Sequence, residues 1–268
     1  MSPTLERILV YPVKSLDPHP LERATVRENG GLTHDREIAV VDADGAYVNG
    51  KRERRIHRLR SSFDPTAGEL SVHENGGQAT TFALDDHEER AGLEAWLSAY
   101  FDRRVELRRN ETGGFPDDTL AAGPTLISQA TLEAVAGWFD DIDTGEIARR
   151  LRPNLIVSSV EPFWEDRLYK DRETAVAFRV GECEFLGSNP CQRCVVPTRD
   201  PDTGEETPGF RETFITKREE TLPEWASEAW YDHYFRLMVN TFVPEETVGG
   251  RIHVGAEVEI LGERPYPA

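Results

Sequence analysis

The stretch Asn189-Pro190-Cys191-Gln192-Arg193-Cys194-Val195-Val196-Pro197-Thr198-Arg199-Asp200-Pro201-Asp202-Thr203-Gly204-Glu205 holds two of the chain's three cysteines, spaced Cys-x-x-Cys. A thiolate is a soft ligand able to hold a transition metal. Read alone, the pair admits zinc, thiol redox chemistry, a metal site with one protein thiolate, or two buried thiols. A structural zinc site wants four ligands, and no second Cys-x-x-Cys or His-x-x-x-His accompanies this pair. A thioredoxin-type motif opens a helix after a strand, whereas Val195-Val196-Pro197-Thr198 reads as strand or loop. Arg193 adjoins Cys194, and a neighbouring cation favours the thiolate that bonds a metal.

The composition around this stretch is acidic. The 268 residues carry 49 acidic against 31 basic side chains, a net charge of −18. Only Lys14, Lys51, Lys170 and Lys217 are lysines, so the other 27 basic residues are arginines. Acid excess with scarce lysine reads as halophilic adaptation, because carboxylates keep a surface hydrated while salt screens their repulsion. The same balance argues against a nucleic-acid partner, which needs an extended basic face. Three cysteines cannot all pair, so a reducing, cytoplasmic setting is expected. No run reaches the roughly 18 apolar residues of a membrane helix, so no membrane partner is expected.

The length allows a substantial core in one large domain or two small ones. From Leu5 to about Leu84 short β-like runs recur: Ile8–Tyr11, Ala24–Val26, Ile38–Val41, Leu70–Val72 and Thr80–Leu84. Turn signals such as Asp42-Ala43-Asp44-Gly45 and Asn75-Gly76-Gly77 separate them, which predicts an antiparallel sheet or partial barrel. Asp85 or Asp86 caps a helix running to Phe101, with Leu93, Trp96, Leu97 and Tyr100 at helical spacing, and a strand Val105–Arg108 follows. Asn110–Asp118 has linker composition, which divides the chain into 1–110 and 111–268. Beyond it the pattern predicts a strand at Leu126–Ser128, a helix carrying Leu132, Val135, Trp138 and Phe139, and a second helix over Thr144–Arg150. Strands are predicted at Asn154–Val157, Ala175–Val180 and Val258–Leu261, with a further helix over Pro223–Met238 presenting Trp225, Trp230 and Tyr234. The mixture is a strand-rich α+β fold.

Several polar motifs suit an anionic ligand. Lys14 and Ser15 follow a strand that Pro12 ends, and a lysine in a turn there is a suitable point charge for phosphate. Arg36, in Gly31-Leu32-Thr33-His34-Asp35-Arg36, can clamp an anion or pair with Asp35 or Glu37. Lys51–Arg60 is a basic block in an acidic protein, read either as the neighbourhood of an anion or as a solvated face. Arg152 and Asn154 flank Pro153 at the start of an apolar strand, where arginine can grip phosphate and asparagine can both donate and accept. No Gly-x-Gly-x-x-Gly, Walker loop, Gly-x-Ser-x-Gly or His-Glu-x-x-His is present.

Taken in order, Tyr-Pro-Val-Lys-Ser, Gly-Leu-x-x-Asp-Arg, Leu-Ile-Ser-x-Ala-Thr-Leu, Arg-Pro-Asn and Cys-x-Arg-Cys with Asp-Pro-Asp-Thr-Gly resemble the MOSC family, over nearly the whole chain. The branch most similar is the one containing the amidoxime-reducing component. The resemblance implies a β-barrel-like MOSC core with a smaller N-terminal β-barrel region and peripheral helices. It implies a molybdenum cofactor, a pyranopterin dithiolene (Mo-molybdopterin), whose metal takes Cys194 as its protein ligand. Contacts to the cofactor are implied at Lys14, Ser15, Arg36, Arg152, Asn154, Arg193 and Asn240. The family's Arg-Gln-x-Pro-Arg corresponds to Lys51-Arg52-Glu53-Arg54-Arg55, where a lysine replaces the first arginine and the proline is lost. The activity implied is a molybdenum-dependent oxidoreductase that converts small N-hydroxylated substrates to amines or amidines, with electrons from an external ferredoxin- or flavin-type donor. Two alternatives use the same pocket: a sulfur carrier in which Cys194 holds a persulfide supplied through pyridoxal-phosphate chemistry, and a cofactor carrier without turnover.

Overall fold

The apolar, β-branched runs of the second half join two N-terminal strands in one eight-stranded sheet in the computed structural model, which describes residues 2–266. Its spatial order is Val258–Pro265, Thr174–Val180, Cys183–Gln192, Arg236–Phe242, Leu126–Ser128, Leu155–Ser158, Thr4–Val10 and His19–Leu21. Leu126–Ser128 and Leu155–Ser158 pair in parallel, with Leu126 beside Leu155. A parallel pair needs a crossover, and the helices Gln129–Ala136 and Thr144–Leu151 supply it. The sheet curls back on itself: Leu5 N donates to the Ala256 carbonyl at 2.8 Å and Val258 N to the Pro3 carbonyl at 2.9 Å. The fold is therefore strand-rich α+β with a barrel-like core. Phe178, Phe185, Leu155, Val157 and Val239 fill its interior.

A separate apolar cluster forms beside it from the first half of the chain. The meander Leu59–Asp64, Glu69–Glu74 and Thr80–Ala83 buries Leu70 and Val72 on one face, as period-two alternation requires. The helix His87–Phe101 lays Leu93, Leu97 and Phe101 on this cluster, four residues apart. Asp86 caps it by accepting from Glu88 N at 2.8 Å and Glu89 N at 3.0 Å. At its other end Arg55 donates to the Phe101 carbonyl at 2.7 Å and the Tyr100 carbonyl at 3.2 Å, satisfying acceptors that a helix C-terminus leaves open. The first strand, Thr4–Val10, belongs to the large sheet, and the pair Ile38–Asp42 with Val105–Arg109 belongs to the smaller region.

The linker-like segment is held in place. Gly114 N donates to the Asn110 carbonyl at 2.9 Å, Phe115 N to the Arg36 carbonyl at 2.8 Å, and Asp117 pairs with Lys14 at 2.8 Å. Pro116, Asp117 and Asp118 at its end line a cavity.

One predicted element is overturned. Pro223–Met238 is not a helix: only Glu228–Trp230 makes a single 3₁₀ turn, and from Arg236 to Phe242 the chain is a strand. The spacing of Trp225, Trp230 and Tyr234 is that of separate contacts. Trp225 Nε1 donates to the Phe163 carbonyl at 3.1 Å and the Tyr231 and Tyr234 rings stack at 5.5 Å. Leu237-Met238-Val239 is buried without alternation, the signature of a strand covered on both faces. The structure adds a helix, Phe210–Glu220, and the strand Cys183–Gln192, which carries Cys191.

Candidate functional site

A cavity of about 720 Å³ takes wall residues from both regions. Ser15, Arg36, Lys51 and His57 come from the first, and Arg152, Asn154, Arg193, Cys194 and Asn240 from the second. Ten cationic side chains line it against five carboxylates, a reversal of sign in a chain of net charge −18. Of the eight non-glycine residues with positive φ among the described residues, four line this cavity: Ser15, Arg36, Arg152 and Met238.

Arg152 owes its place to a helix end. Thr144–Leu151 finishes on Arg152 in the left-handed conformation, φ 57°, and Pro153 forbids continuation. Arg152 donates to the Leu16 carbonyl at 2.8 Å and lies 4.0 Å from the centroid of the Tyr11 ring. Arg36 lies 4.9 Å from the same ring and pairs with Asp35. Tyr11 is buried and donates to the Pro153 carbonyl at 3.1 Å, and burial pushes its hydroxyl up to about 12. A neutral ring between two guanidiniums gives each an attractive π face, which offsets part of their repulsion.

The cysteines occupy different environments. Cys191 donates from Sγ to Asn240 Oδ1 at 2.8 Å, and burial raises its pKa above the ordinary thiol value. Cys194 Sγ instead accepts from Val196 N at 3.4 Å, the polarity a thiolate wants. The 3₁₀ turn Val196–Thr198 presents that amide. Adjacency in sequence does not aim Arg193 at Cys194: its guanidinium donates to the Leu151 carbonyl at 2.8 Å and contacts Met238 Sδ at 3.8 Å. Its Nε is buried without a hydrogen-bond partner.

The Asp-Pro-Asp-Thr-Gly run is a turn that ties down cations. Asp200 Oδ1 accepts from Asp202 N and Thr203 N, both at 2.8 Å. Gly204 has φ 74°, and a Cβ there would collide with the Arg54 carbonyl. So fixed, Asp202 takes both Nη atoms of Arg149, at 2.9 and 2.7 Å, and the Pro201 carbonyl takes Arg60 at 2.7 Å. Arg199 reaches the other way, donating to the Gly50 carbonyl at 2.7 Å.

The residues singled out from sequence divide into three groups. Arg36, Arg152, Arg193, Cys194, Ser15, Asn154 and Asn240 all line the cavity. Asn154 is saturated within the protein, however: Nδ2 donates to the Leu9 carbonyl at 2.9 Å and to Asp35 at 3.1 Å, while Oδ1 accepts from Thr125 N at 3.2 Å. Lys14 stands behind the wall, its ammonium donating to the Phe115 carbonyl and to Asp117, each at 2.8 Å. Burial opposes ionisation of Asp117, but the Arg36 and Lys14 charges prevail and hold its carboxyl well below the usual range. Arg149, Arg199, Arg236 and His57 join the wall without having been singled out individually. For the three arginines the sequence signal is the preference for arginine over lysine, and for His57 it is the basic block Lys51–Arg60 in which it lies.

Arg152, Arg193 and Arg199 share one property: they bond to backbone carbonyls and form no ion pair among the described residues. Partly or fully buried guanidiniums held by carbonyls, with no carboxylate in an ion pair, give this part of the wall a positive character that suits an anion.

A family model described as the MOSC N-terminal beta barrel domain matches residues 2–107, and one described as the MOSC domain matches residues 124–259. The chain is 24% identical over 247 residues to the molybdenum cofactor sulfurase of Danio rerio, a match covering 74% of this chain and 29% of that protein. The sulfurase of Caenorhabditis elegans is 25% identical over 232 residues, covering 78% of this chain and 31% of that one. The chain thus spans less than a third of the length of these sulfurases. Mitochondrial amidoxime-reducing component 1 of Danio rerio is 26% identical over 233 residues, covering 74% of this chain and 69% of that protein. Among solved structures, the YuaD protein of Bacillus subtilis aligns with 100% of this chain and 98% of its own, at 11% identity and a TM-score of 0.32. No helix among the described residues is long and apolar enough to cross a membrane.

Proposed function

Because the chain belongs to the MOSC family, we propose that its cavity binds the molybdenum cofactor with Cys194 as the protein ligand to the metal, and that the protein reduces N-hydroxylated compounds. The observation that carries this reading is the set of guanidiniums without carboxylates, Arg152, Arg193 and Arg199, on the same cavity wall as Cys194. A phosphate-bearing, anionic pterin supplies the missing counter-charge. Among the described residues no group of three or more His, Cys, Asp and Glu is placed to hold a metal. A lone thiolate therefore suits a metal that arrives already chelated by an organic ligand. The unpartnered Nε of Arg193 is one more donor for it.

When bound, the cofactor supplies two-electron redox chemistry at molybdenum, enough with two protons to turn N–OH into N–H and water. The protein's part is placement and electrostatics. Arg36 and Arg152, both against the Tyr11 ring, would hold the cofactor's negative charge, Val196 N donates to the Cys194 sulfur that would ligate the metal, and Asn240 Oδ1 accepts from Cys191, whose pKa burial raises. Lys14 fixes Asp117 on the wall. His57 Nε2 lies 3.3 Å from the Gly50 carbonyl, which can only accept, so Nε2 carries the hydrogen and Nδ1 keeps a lone pair. Burial pushes His57 below its ordinary 6.5, which keeps the ring neutral at neutral pH. Electrons come from a separate ferredoxin- or flavin-type carrier.

Metal and pterin analysis of protein made in a host that synthesises the cofactor tests the binding. Molybdenum near one per chain, lost in Cys194→Ala and kept in Cys191→Ala, is the expected result; protein free of both molybdenum and pterin overturns it. Reduction of benzamidoxime with dithionite-reduced methyl viologen tests turnover. The similarity to molybdenum cofactor sulfurases supports a second reading, in which Cys194 carries a persulfide. Sulfane sulfur that is transferred from wild-type protein but not from Cys194→Ala, without benzamidoxime reduction, selects that reading.

A further inference from the structure

Lys51–Arg60 carries six lysine and arginine side chains and one glutamate within ten residues of a chain whose net charge is −18. Two of the six are consumed locally. Arg55 pairs with Glu53 and Asp102 and caps a helix, and Arg60 pairs with Asp17 at 2.9 Å. Arg54 reaches Glu205 only at 3.9 Å. Lys51, Arg52 and Arg58 are exposed and form no ion pair among the described residues. In a protein with so many carboxylates, cations kept out of ion pairs on the surface stand out as a local positive field.

The patch is joined to Cys194 by packed atoms. Arg199 donates to the Gly50 carbonyl at 2.7 Å and to the Lys51 carbonyl at 3.4 Å, so the start of the patch is pinned to the loop that carries Cys194. The Arg199 backbone N donates in turn to the Val196 carbonyl at 3.0 Å, and Val196 N donates to Cys194 Sγ at 3.4 Å. From Lys51 to the sulfur the route runs through Arg199 and Val196 by three hydrogen bonds.

We propose that the exposed face Lys51, Arg52 and Arg58 is where an acidic, one-electron carrier protein docks to deliver electrons toward Cys194. This rests on the reductase reading above. Two successive carriers are each oxidised by one electron, and together with two protons they account for the conversion of N–OH to N–H and water. Charge complementarity at a rim acts mainly through association rate and its salt dependence. The Debye length shrinks from about 10 Å at 0.1 M salt to about 3 Å at 1 M. Rate enhancement by the patch therefore falls steeply over that range and then levels.

The test uses full-length, cofactor-loaded protein and a dithionite-reduced plant-type [2Fe–2S] ferredoxin of acidic surface. Reoxidation of the ferredoxin is followed in the presence of benzamidoxime at 0.05–1 M salt. The double variant Arg52→Glu/Arg58→Glu is expected to lower the second-order rate constant at least tenfold at low salt and to flatten its salt dependence. Turnover with reduced methyl viologen, a small cation that needs no docking face, stays at the wild-type value. Wild-type rates and salt dependence in the double variant overturn the proposal. If neither donor supports turnover the reductase reading fails, and a ferredoxin binding titration without substrate still decides the docking face: equal affinity of wild type and variant refutes it.

Discussion

Raising the pH from 5 to 8 should cost the wild-type protein stability that Glu165→Gln does not lose. Glu165 and Asp166 are both fully buried in the 3₁₀ turn Trp164–Leu168, and one guanidinium, Arg218, is buried with them. Arg218 pairs with Asp166 at 2.5 Å and donates to Tyr231 at 2.6 Å. Glu165 has no cation: Oε2 accepts from Thr131 Oγ1 at 3.0 Å and Ser128 N at 3.3 Å, and Oε1 has no partner. Burial and the adjacent Asp166 charge push Glu165 up to about 7. The folded protein thus keeps a proton that the unfolded chain releases near 4.5. Stability from this group is complete below the unfolded value, falls as pH rises from there to about 7, and is flat beyond. Integrated from pH 5 to pH 8, the loss is about 2–3 kcal/mol. Glutamine keeps the shape and the acceptor for Thr131 but cannot titrate. Urea unfolding of both proteins across this range isolates the effect of Glu165 together with its coupling to Asp166, since carboxylates remote from the pair cancel in the difference. A difference that stays within about 0.5 kcal/mol from pH 5 to pH 8 would mean that Glu165 is ionised in the fold, and the reasoning is wrong.

Three more outcomes follow from single contacts. Gly204→Ala should lower stability by about 1–3 kcal/mol in thermal or urea unfolding, because the left-handed turn and the Arg54 carbonyl both exclude a Cβ. Tyr11→Leu should weaken binding of inorganic phosphate about tenfold by calorimetry, since Arg36 and Arg152 lose their shared ring; Tyr11→Phe keeps the ring and should remain within about threefold, in keeping with a cation–π term of about 1 kcal/mol or more. Arg218→Met should destabilise by about 3–5 kcal/mol at neutral pH, because it strands the Asp166 carboxylate in the core. Lowering the pH should recover part of that loss.

Much of the fold is legible in the sequence wherever apolar runs are undiluted, as at Ile38–Asp42, Leu155–Ser158 and Thr174–Val180. It fails where a buried position carries a polar residue. The helix Phe210–Glu220 buries Phe210, Phe214 and Arg218, four residues apart, but the third is an arginine and the apolar period disappears from view. In Cys183–Gln192, Glu184, Gly187, Asn189 and Pro190 break the alternation, and pairing on both sides makes the strand all the same. The site divides in the same way. Cys194, Arg152 and Arg36 announce themselves by local motif, whereas Arg149 and Arg199 reach the cavity only through contacts with Asp202 and Gly50, far along the chain. Lys14 shows the converse: its scarcity makes it conspicuous in sequence, yet its ammonium is spent on Asp117.

The positive φ angles at Ser15, Arg36, Arg152 and Met238 bear on how the cavity is held. Left-handed backbone costs a non-glycine residue on the order of 1–3 kcal/mol and persists only where neighbouring bonds over-determine it. Those bonds are present here. Arg36 N donates to the Tyr11 carbonyl at 2.8 Å while its own carbonyl accepts from Phe115, and Arg152 N donates to the Ala148 carbonyl at 2.8 Å as the last turn of its helix. The arginines are therefore aimed by backbone fixed on several elements, not by the ligand they await. Anion binding to such a wall requires little backbone rearrangement, so the cost of crowding like charges is met in folding and recovered as affinity when a counter-charge arrives.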